Sequence, residues 1–209
     1  MTAGPAPTVF VVDDYAPMRR SISRLLQAAG FFVDAFASAE EFLAQYDPGI
    51  RGCLLLDVAM PALNGLELQE ILAKAGSLLP IIFLTGEGDI PECVQAMKHG
   101  ASDFLTKPVN DEDLLAAVRV AFQKDSALRR QQAELSGIRE RMATLTPRER
   151  EVLDYVVAGK LNKQIAGDLG TVEQTVKVHR ARVMQKMGVQ SVAELVRLTE
   201  RCATNGSVH

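Results

Sequence analysis

Leu54-Leu55-Leu56-Asp57-Val58-Ala59-Met60-Pro61 places three leucines before an aspartate and a proline four residues after it. An apolar run of this kind reads as a strand buried on both faces. Such a strand delivers its terminal carboxylate to the rim of a sheet. A lone acid in that place most often caps local structure. The chemistry of Asp57 therefore depends on what the neighbouring strand ends bring to it.

Upstream, Thr8-Val9-Phe10-Val11-Val12-Asp13-Asp14 is a β-rich apolar run ending in two adjacent carboxylates. Met18, Ile22, Leu25, Leu26 and Ala29 recur at helical spacing, and Gly30 ends that helix. Phe32–Phe36 is a short strand, after which Ser38 caps a helix with Glu41 three residues on. Downstream, Gly65–Leu72 is helical and Pro80–Gly86 is a strand ending near Thr85. A helix over Ile90–His99, a strand over Asp103–Pro108 and a helix over Asp111–Phe122 complete the unit. Strands alternating with helices imply a doubly wound α/β fold, a five-stranded parallel sheet of flavodoxin-like type. Ligands of such sheets bind outside the carboxyl ends of the strands. Those ends carry Asp13, Asp14, Asp57, Thr85 and Lys107.

Three carboxylates converging at one edge repel one another and call for a cation. An all-oxygen set suits Mg²⁺, which binds through one or two carboxylates plus phosphate oxygens. An aspartate can act as a nucleophile toward phosphorus, giving an acyl phosphate. Lys107 and Thr85 could then contact the oxygens of a group on Asp57. Helix capping accounts for any one of these residues, but not for five at one edge.

Asp13-Asp14, Asp57, Thr85 and Lys107-Pro108 together resemble the signature of the response-regulator receiver domain of two-component phosphorelays, over residues 8–122. The resemblance implies that Asp57 is the phosphoacceptor. It implies that Asp14 and Asp57 bind Mg²⁺ directly, Asp13 through water, with the Ala59 backbone carbonyl as a further ligand. It also implies that Thr85 and Lys107 contact the phosphoryl group and that the Lys107-Pro108 bond is cis. Phe104 falls at the family's switch aromatic, coupled to Thr85. Ala59 and Glu87 occupy positions that tune phosphoryl lifetime, and Ala59 offers no polar side chain there.

The whole chain has 209 residues and net charge −3, which divides into −8 over residues 1–122, +2 over 123–144 and +3 over 145–209. An acidic front and a basic tail suggest two modules with different partners. No apolar run is long enough to span a bilayer. The N-terminus lacks the pattern of a secretory signal, so a cytoplasmic location without membrane contact is expected. Cys53, Cys93 and Cys202 are widely spaced in apolar contexts and read as reduced core thiols. His99, His179 and His209 form no cluster, and His179 reads as a buried helix residue. Zinc spacing and a Gly-rich phosphate loop are absent from the sequence.

Residues 123–144 are charged, with one glycine and no proline. Phe122, Leu128, Leu135, Ile138 and Met142 suggest a continued apolar stripe, so a largely helical linker is expected. It would either act as a spacer or transmit activation across protomers or domains. Beyond it, Thr146 at N-cap, Pro147 at N1 and Glu149 at N3 open a helix that Gly159 ends. A short helix over 162–169, a break at Gly170, a helix over 172–187 and a last one over 192–202 follow. This is a four-helix, all-α unit with a helix-turn-helix. On a helical wheel Val176, Val183 and Met187 cluster within about 40° and form the buried face. The opposite face presents Gln174, Lys177, Val178, Ala181 and Gln185, with Arg180 and Arg182 at its edges. Small and polar side chains flanked by arginines suit a helix in a major groove.

Leu145–Leu153, Asn162-Lys163-Gln164-Ile165-Ala166 and Thr175-Val176-Lys177-Val178-His179 resemble the LuxR-type helix-turn-helix across 145–202. The motif implies that Lys177, Val178 and Ala181 face bases. Leu161 departs from the usual small polar residue. Thr171-Val172 departs from the usual apolar-then-Ser start, and Thr171 could cap one position early. Together the two halves resemble response regulators of the FixJ/NarL type, with domains over 1–122 and 145–209 joined by the 123–144 linker. The resemblance implies a phosphorylation-controlled transcriptional regulator, an activator, and no enzyme activity beyond its own phosphoryl uptake and loss. Its implied partners are a sensor histidine kinase, double-stranded promoter DNA, a second copy of the chain on phosphorylation, and RNA polymerase. A Mg²⁺-dependent aspartyl-phosphate phosphohydrolase would need an acid at Ala59. A DNA binder with a vestigial receiver is hard to square with the complete acid set.

Overall fold

The computed structural model describes residues 6–86 and 96–204. The chain divides into two compact units at Arg129/Arg130. In the first, β1 (Thr8–Val12), β2 (Phe32–Phe36), β3 (Gly52–Asp57), β4 (Ile81–Thr85) and β5 (Asp103–Thr106) form one parallel sheet in the order β2-β1-β3-β4-β5. This is the five-stranded parallel sheet expected from the sequence.

The register brings the chemistry to one edge. Val12 lies opposite Leu56, Asp57 opposite Leu84, and Thr85 opposite Thr106. The residues that leave the strands here are Asp13, Asp57, Thr85 and Lys107. Each strand end is held by the next: Asp13 N–H donates to Phe36 O (3.3 Å), Val58 N–H to Leu84 O (3.2 Å) and Lys107 N–H to Thr85 O (2.7 Å).

Helices α1 (Ala16–Ala28), α2 (Ala39–Gln45) and α3 (Gly65–Lys74) follow the first three strands. Ser38 caps α2 by accepting from Glu41 N–H, and Asn64 and Glu67 form a reciprocal capping box at α3. The sheet's two faces bury separate cores. Phe10, Leu54, Leu56, Leu68 and Phe83 lie on one side, and Val9, Val11, Leu26, Leu55, Ile82 and Leu84 on the other. Central β3 and β4 are buried throughout, which explains why they read as unbroken apolar runs. Of the helix expected over 90–99, residues 96–98 are helical, and its earlier part lies outside the described residues, as do Glu87 and Cys93. Cys53 is buried, and burial pushes its thiol well above the ordinary range, as expected of an inert core cysteine.

The expected helix over 111–122 and the expected linker are one element, α4 (Asp111–Ala143). The apolar stripe is not continuous in function. Leu114, Val118 and Phe122 belong to a core of the first unit, whereas Leu135, Ile138 and Met142 belong to the core of the second. Leu128 joins neither and is half-buried. In the second unit α5 (Pro147–Val157), α6 (Asn162–Asp168), α7 (Glu173–Met187) and α8 (Val192–Thr204) surround Ile138, Val152, Leu153, Ile165, Val176, Val183, Met187 and Leu195.

Gly52 tests the β1–β3 pairing on which the edge depends. Its φ is +135°, and an added Cβ would sit 1.8 Å from the Thr8 carbonyl oxygen. Neither atom can move without breaking the ladder. Gly52→Ala should lower stability by at least about 2 kcal/mol, seen as a lower urea midpoint with an unchanged slope.

Candidate functional site

Asp13 leaves β1 fully buried, and Asp57 ends β3 at 6% exposure. The Lys107 ammonium, just beyond β5, lies 3.0 Å from Asp13 Oδ2 and 3.0 Å from Asp57 Oδ2. Asp14 is exposed, yet one oxygen from each of Asp13, Asp14 and Asp57 falls within 4.8 Å of the others. Three carboxylates thus face one ammonium. A buried excess of negative charge is expensive, and a divalent cation is the group that removes it. The all-oxygen donor set fits Mg²⁺.

The electrostatics follow from burial. Burial chiefly raises the Asp57 pKa above the usual carboxylate range, and Asp13 adds to this, while Lys107 opposes both. Burial alone would lower the Lys107 pKa, but its hydrogen bonds to Asp13 and Asp57 outweigh that effect and raise it. Lys107 is therefore a fixed positive charge.

Other sequence-derived residues belong to the same strands or to the turns that follow them. Thr85 ends β4 and is buried, and Ala59 N–H donates to Asp57 Oδ1 at 3.4 Å. The Lys107-Pro108 bond is cis. Phe104, on edge strand β5, is 42% exposed. Gly65 opens α3 directly against the site: a Cβ there would come 2.3 Å from the Asp57 carbonyl oxygen.

Arg19 escaped the sequence reading. Its Nη1 donates to the carbonyls of Asp13 (2.5 Å) and Asp14 (3.4 Å), while Tyr15 N–H donates to Asp13 Oδ1 (2.8 Å). A cation six residues after the first acid, on the first turn of the following helix, was the available signal.

The second unit presents a helix-turn-helix. Gly170 supplies the turn with φ +59°, and α7 buries Val176, Val183 and Met187, the face the wheel selected. Gln174, Lys177, Val178, Ala181, Arg182 and Gln185 are exposed together, and Arg180 is half-buried. Lys177 pairs with Glu173 at 3.2 Å. An exposed pair one turn apart is worth only about 0.5 kcal/mol, so Lys177 can exchange Glu173 for a phosphate or base edge.

Two expectations need correction here. Val172, not Thr171, is the N-cap of α7 and has no side-chain cap hydrogen bond, because the chain enters the helix one residue after the threonine. His179 is half-buried rather than buried, although its Nδ1 is shielded and has no hydrogen-bond partner among the described residues.

The base of this unit is set by Glu149. It accepts from Thr146 N–H (2.9 Å), completing the capping box, and from Lys186 Nζ (2.6 Å) near the end of α7. Lys186 also donates to Thr144 O at 3.0 Å. The Lys186 hydrogen bond first, then the Thr146 amide, lowers the Glu149 pKa to about 2.

Comparison with known proteins assigns a family to each of the two units. Residues 9–119 match the response regulator receiver domain, and residues 143–199 match the bacterial regulatory proteins of the luxR family. The chain belongs to the response regulators with a LuxR-type DNA-binding domain. It is 46% identical over 192 residues to Nodulation protein W of Bradyrhizobium diazoefficiens, covering 92% of this chain and 85% of that one. To the response regulator protein TodT of Pseudomonas putida it is 43% identical over 196 residues, covering 94% and 86%. Among solved structures, the response regulator StyR aligns with TM-score 0.83 and 45% identity, over 94% of this chain and all of that one. Full-length FixJ from B. japonicum aligns with TM-score 0.58 and 42% identity, over 95% and 98%. Receiver domains bind Mg²⁺ at an acidic pocket, and a receiver implies a sensor kinase. Such regulators control transcription rather than acting as enzymes in the ordinary sense. Among the described residues no helix is long and apolar enough to cross a membrane.

The depressed Glu149 pKa has a definite sign. A carboxylate held below its ordinary value of 4.5 contributes stability that is complete above that pH and is lost as pH falls toward about 2. Glu149→Gln should lower the thermal midpoint at neutral pH and flatten the acid limb of the midpoint-versus-pH curve between those values.

Proposed function

We propose that Asp57 accepts a phosphoryl group from a sensor histidine kinase and that this controls DNA binding by α7. The observation that carries the reading is the Lys107 ammonium held 3.0 Å from both Asp13 and Asp57, beside a third acid, at the carboxyl edge of the sheet. In the transfer, an Asp57 carboxylate oxygen forms a bond to phosphorus as the phosphorus–nitrogen bond of a phosphohistidine breaks. The electron pair leaves on the imidazole nitrogen. Lys107 neutralises charge on the phosphoryl oxygens, and the Thr85 hydroxyl donates to one of them. Asp13, Asp14, Asp57 and the Ala59 carbonyl would hold Mg²⁺, which supplies charge neutralisation for an incoming phosphate.

Phosphorylation draws Thr85 and Phe104 toward the site and reshapes the β5 edge, favouring a homodimer. Two copies of α7 then bind two half-sites of promoter DNA in the cytoplasm, and the complex recruits RNA polymerase as an activator. Lys177, Val178 and Ala181 face bases. Gln174 and Gln185 share that reading face, and Arg182 flanks it toward the phosphates.

Incubation with acetyl phosphate and Mg²⁺ should add the mass of one phosphoryl group to the wild type and none to Asp57→Ala, and a chelator should abolish the gain. Wild-type protein that stays unmodified would overturn the reading. For the DNA surface, Arg182→Ala should reduce the slope of log affinity against log salt by about 0.9, the value for one lost phosphate contact. Val178→Ala should leave that slope unchanged while relaxing sequence preference.

A further inference from the structure

Arg180 differs from the other groove-side residues of α7. It is half-buried, and its Nη1 donates at 2.9 Å to Oδ1 of Asn162, the first residue of α6. The two helices of the helix-turn-helix begin without side-chain caps. Leu161 precedes α6 at 69% exposure, and Val172 precedes α7 at 65%. Caps of serine or threonine type would normally fix such starts. Here Leu161 N–H is satisfied by Gln164 Oε1 at 2.8 Å, within α6 itself, and fixes nothing across to α7. Packing of Ile165 and Val176 holds the helices together, but apolar contact resists sliding and tilting weakly because it is non-directional. A hydrogen bond from a guanidinium is directional.

We propose that Arg180 is a positioning residue that sets the angle of the recognition helix through Asn162 and thereby governs discrimination among DNA sequences. The composition of the reading face makes that angle matter. Val178 and Ala181 are short, and neither can extend to follow a base edge when the helix tilts. Only correct placement brings their methyl groups to a thymine methyl. The inference rests on the LuxR-type domain reading DNA through α7 and does not depend on phosphorylation of Asp57.

The test uses the full-length protein, a duplex selected by the wild type from a random library, and a scrambled duplex of equal length. Arg180→Ala and Asn162→Ala should each weaken binding to the selected duplex about tenfold, the scale of one hydrogen bond to a charged group. The double variant should lose no more than either single one. Binding to the scrambled duplex, the salt slope and the thermal midpoint should stay as in the wild type. A fall of about 0.9 in the salt slope of Arg180→Ala, with equal losses on both duplexes, would make Arg180 a phosphate contact and overturn the proposal. So would losses that multiply in the double variant, or an Asn162→Ala protein that binds normally. If Arg180→Ala is destabilised, Arg180→Gln and Asn162→Ala decide the matter by the same criteria.

Discussion

The Lys107 ammonium lies equidistant from two buried carboxylates, and much of the first unit exists to keep it there. Asp13 and Asp57 end adjacent strands, so a parallel sheet forces like charges together. One cation between them makes the arrangement tolerable without neutralising it, since Asp14 adds a third acid nearby. That residual charge is the useful quantity: it gives the site an appetite for a divalent cation and, with it, for phosphate. The surrounding devices serve the same end. Arg19 holds the carbonyls of the acid pair, the Tyr15 amide orients Asp13, and Gly65 lets α3 approach the Asp57 backbone.

The second unit solves a different problem with similar means. Its recognition helix is mostly polar, and three buried residues, Val176, Val183 and Met187, hold it. Each contributes about 1.5–3 kcal/mol on burial, enough to seat the helix but not to orient it. Orientation comes from directional contacts, Lys186 with Glu149 near its end and Arg180 with Asn162 at its middle. The exposed face is thereby left to side chains chosen for what they touch outside the protein.

Strand ends were the most legible part of the sequence. Apolar runs that stop at Asp13, Asp57 and Thr85 announce both the sheet and its carboxyl edge, because β1, β3 and β4 are buried nearly throughout. The capping boxes at Asn64 and Thr146 are equally local, each set by a polar N-cap and a glutamate three residues later. What escaped is non-local or depends on a single residue of phase. The partners of Arg19 and Arg180 are decided by rotamers of long side chains. The start of α7 at Glu173, with Val172 as its N-cap, follows from how the chain leaves the left-handed turn at Gly170. The stripe from Phe122 to Met142 was visible, but periodicity cannot tell which core each residue joins.

Helix α4 blurs the notion of a linker. Residues 111–143 form one helix, yet Ile138 is as deeply buried in the second core as Val183. Arg141 reaches the Met187 carbonyl at 3.1 Å, and Glu134 grips Arg201 through both carboxylate oxygens. A fragment that starts at the helix-turn-helix motif would therefore begin with a hole where Leu135, Ile138 and Met142 belong. The smallest self-sufficient piece of this regulator's DNA-binding half is defined by an open core, and it starts well inside the helix that leaves the receiver.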